Sequence, residues 1–256
     1  MTSLAKPKAL VTGASRGIGR ATALALANAG AHVLVHYGKS KRDADSVVAE
    51  IRSGGGSADA VGSDLEAPEG PSELAAKVHT LVGDRLDVLV ANAGISKAAR
   101  IEDHTIADFD SLFATNVRAP FFLLQQLLPL LGEGSSVIVT TSLAARVSPG
   151  SPGQAGASLI PAYAATKGAL ETLVKHWASQ LGPRGIRVNA VAPGIIETDM
   201  SNFTKTEAGR NLALNMQSLK RIGKPDDVAD VIAFLASNCA RWVTGASIPV
   251  DGGSKL

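Results

Sequence analysis

The stretch ALVTGASRGIGRATALALANAG, residues 9–30, decides how the fold is read. Ala9-Leu10-Val11 is a short apolar run that reads as a strand. A helical pattern follows Gly19, runs to about Ala29 and is closed by Gly30. Between them stand Gly13, Gly17 and Gly19, spaced G-x-x-x-G-x-G. Strand, glycine-rich turn and helix in direct succession is the opening unit of an α/β chain with a parallel sheet. The glycines let a phosphate group approach the backbone, and the free N–H groups opening the next helix face it. The spacing differs from the G-x-G-x-x-G dinucleotide fingerprint, but the flanking elements are those the fingerprint requires.

The same alternation continues outward. Ala31 to Tyr37 reads as a second strand, and Val47, Val48 and Ile51 give the next helix a buried stripe that ends at Gly54-Gly55-Gly56. An NAD site usually has a carboxylate near the end of the second strand. Here the chain reads His36-Tyr37-Gly38-Lys39-Ser40-Lys41-Arg42, with no carboxylate before Asp43. Arg16 in the glycine turn and Lys39 beyond the strand are cations suited to a 2′-phosphate, so NADP(H) is expected over NAD(H), with Arg16 the stronger candidate. A third strand near Ala58–Val61 leads to Asp64-Leu65. Asp64 suits either an adenine amino group or the capping of the following turn. A helix from about Ser72 to Val82 and a strand Leu86–Val90 precede Asn92-Ala93-Gly94, where small residues admit a ligand and Asn92 can brace the loop.

A long helical pattern from Phe109 to Leu128 is interrupted by Asn116, an amide that needs partners among apolar neighbours. Ser136 to Ser142 reads as a strand ending in hydroxyls, and strand carboxyl ends are where ligands bind in open parallel sheets. Ser142 is the candidate there, with Thr140 and Thr141 as competitors. Arg146 to Pro161 reads as a loop. The helix that follows carries Tyr163 and Lys167, four residues apart and therefore on one face. A phenol titrates near pH 10, and a nearby ammonium is expected to lower that value toward a useful range for proton transfer. A strand from Gly185 to Val191 leads to Pro193-Gly194-Ile195-Ile196-Glu197-Thr198, Asp199–Leu219 is expected to form a mobile lid, and a helix from Pro225 and a strand Ala246–Val250 close the chain.

Taken together, Thr12-Gly-x-x-x-Gly17-Ile-Gly19, Asp64, Asn92-Ala-Gly94, Asn116, Ser142, Tyr163-x-x-x-Lys167, Pro193-Gly194 with Thr198, and Val250-Asp-Gly-Gly253 resemble the short-chain dehydrogenases/reductases over nearly the whole chain. The resemblance implies a single-domain Rossmann fold: a doubly wound parallel sheet of about seven strands flanked by helices. Residues 1–256 would form one domain, with 10–145 mainly binding cofactor and 142–220 supplying catalytic residues and lid. The resemblance also implies roles. Tyr163 is the acid/base, Lys167 lowers its pKa and holds the nicotinamide ribose, Ser142 binds the substrate oxygen, and Asn116 anchors a water. Gly13, Ser15, Arg16, Gly17, Ile18, Gly19, Tyr37, Lys39, Asp64, Leu65, Asn92, Ala93, Gly94, Pro193, Gly194, Ile196 and Thr198 join Tyr163 and Lys167 around the cofactor. Ser96, Gln154, Ile195, Met200 and Phe203 are the candidate substrate wall.

Two departures stand out. Ala91 occupies a position where the family often has a second Asn. Ser142 and Tyr163 are 21 positions apart, longer than usual, and Val147–Ile160 reads as the insertion, reshaping one wall of the pocket.

Bulk properties narrow the alternatives. The 256 residues are 45% hydrophobic and 19% charged, with a net charge of +2, too small to imply a nucleic-acid partner. No apolar run reaches a membrane span, the first eight residues lack the apolar core of a signal peptide, and the lone Cys239 suits a reducing compartment, so a cytoplasmic protein is expected. The one H-x-x-x-H spacing, His32–His36, falls in a strand run, where it does not have the helical context of a metal pair, and the G-x-S-x-G spacing Gly13–Gly17 belongs to the glycine turn, so neither a metal site nor serine hydrolysis is expected. The expected activity is NADP(H)-dependent interconversion of a ketone and a secondary alcohol. A 3-oxoacyl thioester is the nearest substrate class and a sugar or polyol the alternative. A non-catalytic NADPH sensor is the rival from another class, disfavoured because all four catalytic candidates are present. The resemblance implies a homotetramer.

Overall fold

The computed structural model describes residues 6–148 and 159–254. Seven strands form one parallel sheet: β1 (Lys8–Val11), β2 (His32–Tyr37), β3 (Ser57–Gly62), β4 (Val88–Ala91), β5 (Ser136–Thr140), β6 (Arg187–Pro193) and β7 (Ser247–Val250). Their order is β3-β2-β1-β4-β5-β6-β7. The chain steps outward from β1 to β3, then returns to place β4 on the other side of β1. That reversal opens a crevice at the carboxyl ends of β1 and β4, where doubly wound sheets hold ligands.

The strands are mostly apolar because helices cover both faces. One face carries α1 (Gly17–Asn28), α2 (Lys41–Ser53) and α8 (Pro225–Ala236), which bury Leu26, Val47, Ile51, Val228, Ile232 and Leu235 against Val33, Val35 and Val90. The other carries α3 (Gly70–Val82), α5 (Ala119–Leu127) and α6 (Pro161–Leu181), which bury Leu74, Val78, Leu123, Leu127, Leu170 and Val174 against Leu10, Leu89 and Val137. Each fully buried Leu or Ile contributes about 1.5–3 kcal/mol. Turns that return the chain from helix to strand, including those at Gly30, Gly55 and Gly83, lie on the rim opposite the crevice.

One feature differs from the sequence pattern and a second adds detail to it. The helix expected from Phe109 onward is α4 (Ile106–Phe113) and α5, joined by a wide π turn at Ala114–Arg118 that contains Asn116. The polar stretch expected as a lid folds into a 3₁₀ segment, Asp199–Lys205, and helix α7 (Glu207–Met216). Thr206 caps α7 by accepting from the Gly209 N–H at 3.2 Å.

Candidate active site

The crevice contains a cavity of about 590 Å³, within the usual range for cofactor sites. At one end is the turn between β1 and α1. Gly13 and Gly17 take φ of 63° and 54°, conformations that a side chain would strain. A Cβ on Gly19 would meet the Gly13 carbonyl and lie 2.7 Å from Asn92 Nδ2. The three glycines thus form a cradle without side chains at the start of α1.

Asn92 holds the cradle from the end of β4. Its backbone N–H donates to Thr12 Oγ1 at 2.9 Å, its Nδ2 donates to the Thr12 carbonyl at 2.9 Å, and the Ala93 N–H also donates to Thr12 Oγ1 at 2.9 Å. His36 supports it from β2. The Gly13 N–H donates to His36 Nδ1 at 3.1 Å, and Nε2 lies 3.1 Å from the Ser63 carbonyl. Burial lowers the His36 pKa to about 4, despite the opposing Ser63 bond, and Lys77 adds to the lowering. The imidazole is therefore neutral, with its proton on Nε2. The sequence offered His36 only as a missing carboxylate; its contact with Gly13, 23 positions away, comes from the pairing of β1 with β2.

Arg16, Lys39, Asp64 and Leu65 line the same end of the cavity. Arg16 pairs with Asp199 of the 3₁₀ segment at 3.3 Å, with both side chains mostly exposed. Asp64 Oδ1 accepts from the Glu66 N–H at 3.0 Å, the turn-capping option raised by its position, while the residue also faces the cavity. Thr115, from the π turn, also lines the cavity, and its buried hydroxyl has no partner among the described residues. A cradle free of side chains with two cations beside it fits an extended phosphate-bearing nucleotide.

Ser142, Tyr163 and Lys167 meet at the far end. Tyr163 and Lys167 come from the first turns of α6 and Ser142 from the end of β5. Burial raises the Tyr163 pKa, and a hydrogen bond with Ser142 opposes that rise. This corrects the expectation that Lys167 would set the direction: in a dry wall, desolvation of the phenolate outweighs a cation 5.5 Å from the ring centre. Lys167 is buried, donates to the Thr140 carbonyl at 2.8 Å, and has its pKa lowered by burial to about 8. Asn116 is fully engaged, accepting from the Ile95 N–H at 2.9 Å and donating to the Ile95 carbonyl at 2.9 Å and to Thr166 Oγ1 at 3.1 Å. Its side chain ties the loop after β4 to α6.

Ser15, Ile18, Ala93, Gly94, Ser96, Pro193, Gly194, Ile196, Thr198 and Met200 also line the cavity. Tyr37, Ile195 and Phe203 are not on its wall. The Tyr37 ring packs on Gly62 of β3, Ile195 turns its carbonyl toward Gly223, and Phe203 is half exposed. Gln154 and most of Val147–Ile160 lie outside the described residues.

A family profile described as Enoyl-(Acyl carrier protein) reductase matches residues 13–255. The chain is 40% identical to versicolorin reductase 1 of Aspergillus parasiticus, covering 96% of this chain and 95% of that protein. It is also 40% identical to a 3-oxoacyl-[acyl-carrier-protein] reductase of Staphylococcus epidermidis, covering 96% and 97%. Among solved structures, the angucycline C-6 ketoreductase LanV with bound NADP matches with a TM-score of 0.88 at 37% identity, covering 96% of this chain and 95% of that one. Strand order, glycine cradle and similarity along the full length agree, and the chain belongs to the short-chain dehydrogenase/reductase family of oxidoreductases.

Proposed function

We propose that the protein is an NADP(H)-dependent ketone/secondary-alcohol oxidoreductase that uses Tyr163 as its acid/base. The observation that carries this reading is the convergence of Ser142, Tyr163 and Lys167 at one end of a cavity whose other end is the glycine cradle. The cofactor, when bound, supplies or accepts the hydride. The cradle, braced by Asn92 and His36, seats its phosphates. Arg16 and Lys39 hold the 2′-phosphate, a preference supported by the absence of a carboxylate at the end of β2. Tyr163 donates its phenolic proton to the carbonyl oxygen during reduction, and Ser142 holds that oxygen in reach. Lys167 places positive charge beside the phenolate that remains. A phenol whose pKa is raised by burial is a protonated donor at neutral pH. Tyr163 and Lys167 are buried, which strengthens these interactions.

Substrates to test first are 3-oxoacyl thioesters, versicolorins and angucycline ketones, the classes named in the relatives. The closing test follows NADPH oxidation against this panel. Tyr163→Phe should lower kcat by at least about a thousandfold while NADPH binding changes little. Full turnover in that variant would remove Tyr163 from the role.

We also propose a cytoplasmic homotetramer. Phe109, Phe121 and Phe122 on α4 and α5, and Phe234 and Trp242 near the C-terminus, are exposed aromatic groups that a second copy would cover. No helix among the described residues is long and apolar enough to cross a membrane.

A further inference from the structure

Tyr163 and Lys167 are followed on α6, after another four residues, by Glu171, which continues the same helical row. Its carboxylate is mostly buried and accepts bonds from two separate parts of the chain, Arg146 and Ser247. Arg146 Nε approaches both carboxylate oxygens, at 3.0 and 3.1 Å, and Arg146 Nη2 lies 2.9 Å from Oε1. Ser247 Oγ on β7 donates to Oε1 at 2.9 Å, while Thr141 Oγ1, 3.5 Å from Oε1, gives its proton to the Val191 carbonyl at 2.9 Å. Arg146 Nη2 also donates to the Ser247 carbonyl at 3.1 Å.

Ser142 sits inside this arrangement. Thr141 precedes it, and Arg146 closes the short 3₁₀ turn Leu143–Ala145 that follows it. The turn that follows Ser142 is thus fastened through Arg146 to one carboxylate, and that carboxylate is on the helix that presents Tyr163. The Ala144 N–H donates to Ser142 Oγ at 3.1 Å, which leaves the hydroxyl proton free for another acceptor. A forked guanidinium–carboxylate pair is strong and directional, and this one is more shielded from solvent than the surface pairs elsewhere on the chain.

We infer that Arg146 and Glu171 are positioning residues that clasp the strand-end turn to α6 and so set the distance between Ser142 and Tyr163. The inference rests on the proposed roles of Ser142 and Tyr163. Neither clasp residue lines the cavity, so they act through Ser142. A catalytic group displaced by about 1 Å can cost a hundredfold in rate.

The chain contains two tyrosines, Tyr37 and Tyr163, so the Tyr163 phenol can be followed directly. Full-length protein labelled with 3-fluorotyrosine gives two fluorine resonances, assigned with Tyr163→Phe, and its lower intrinsic pKa brings the titration into a gentle pH range. Arg146→Ala should move the Tyr163 midpoint upward to the value seen in Ser142→Ala. Adding Arg146→Ala to Ser142→Ala should move it no further. Arg146→Lys, which keeps charge but not the fork, should fall between. Glu171→Gln is a second probe that does not depend on Arg146 variants folding. On any ketone that supports Tyr163-dependent NADPH oxidation, Arg146→Ala should lower kcat about tenfold and leave KM for NADPH within about twofold. A Tyr163 midpoint unmoved by both Arg146→Ala and Glu171→Gln, while Ser142→Ala moves it, would overturn the clasp. So would equal shifts from Arg146→Ala with and without Ser142. A midpoint that Ser142→Ala leaves unchanged would remove the Ser142–Tyr163 link, and the clasp with it. Turnover retained in Tyr163→Phe would sink the catalytic reading separately.

Discussion

His36 is buried with its Nδ1 committed to the Gly13 N–H, so a second proton would break that bond and place a charge in a dry wall. Its pKa of about 4 in the fold, against an ordinary 6.5, fixes the sign of the pH response. Between those values the unfolded chain binds the proton and the folded chain does not. The His36 contribution is therefore complete above about pH 6.5 and declines as pH falls toward 4, by about 3 kcal/mol in total. Urea unfolding of wild type and His36→Asn at pH 7 and pH 4.5 should show a smaller acid-induced loss in the variant; parallel losses would mean that His36 is not the sensitive group. The Tyr163–Lys167 spacing was legible in the sequence because four residues on a helix define a face. The His36–Gly13 bond was not, because it depends on the register of two strands. Nor was the direction of the Tyr163 shift, since the sequence displays the ammonium but not the depth of burial.

The 3₁₀ segment that begins at Asp199 meets the glycine turn through the Arg16–Asp199 pair. With side chains 69% and 62% exposed, such a pair is worth under about 1 kcal/mol, so Arg16 can exchange Asp199 for a phosphate at little cost. Arg16→Ala should weaken NADPH binding roughly ten- to a hundredfold and NADH binding by less than about threefold. Asp199→Asn should tighten NADPH binding by up to about fivefold. Fluorescence titration with both nucleotides checks this, and equal losses for NADPH and NADH in Arg16→Ala would mean that Arg16 does not read the 2′-phosphate. The polar composition between Asp199 and Leu219 suggested a lid, but the fold of this stretch against Arg16 was not visible in a pattern with no continuous apolar stripe. The π turn was also hidden. Phe109, Leu112 and Leu123 keep an apolar rhythm across it, and only Asn116 marked the break.

In the assembled molecule, the apolar runs at β1, β2, β4, β5 and β6 announced a sheet covered on both faces, and the glycine turn announced its crevice. Side-chain destinations at the edges were harder to read: Tyr37 ends a strand that borders the cavity, yet its ring serves the packing of β3. The family resemblance set the expectation for assembly, and the exposed aromatic groups on α4 and α5 are the surfaces on which to test it. Light scattering should give four times the chain mass, and Phe121→Glu with Phe122→Glu should reduce it to two; a wild-type monomer would overturn the tetramer. Because all seven strands run the same way, the cavity opens on one rim and the glycine turns between helix and strand occupy the other. Attachment chemistry can follow that polarity. A cysteine introduced at exposed Ser53 or Asp84, after replacement of Cys239, would immobilise the protein by its opposite rim and leave the mouth of the cleft toward the medium, whereas a tether near Met200 would turn that mouth to the support.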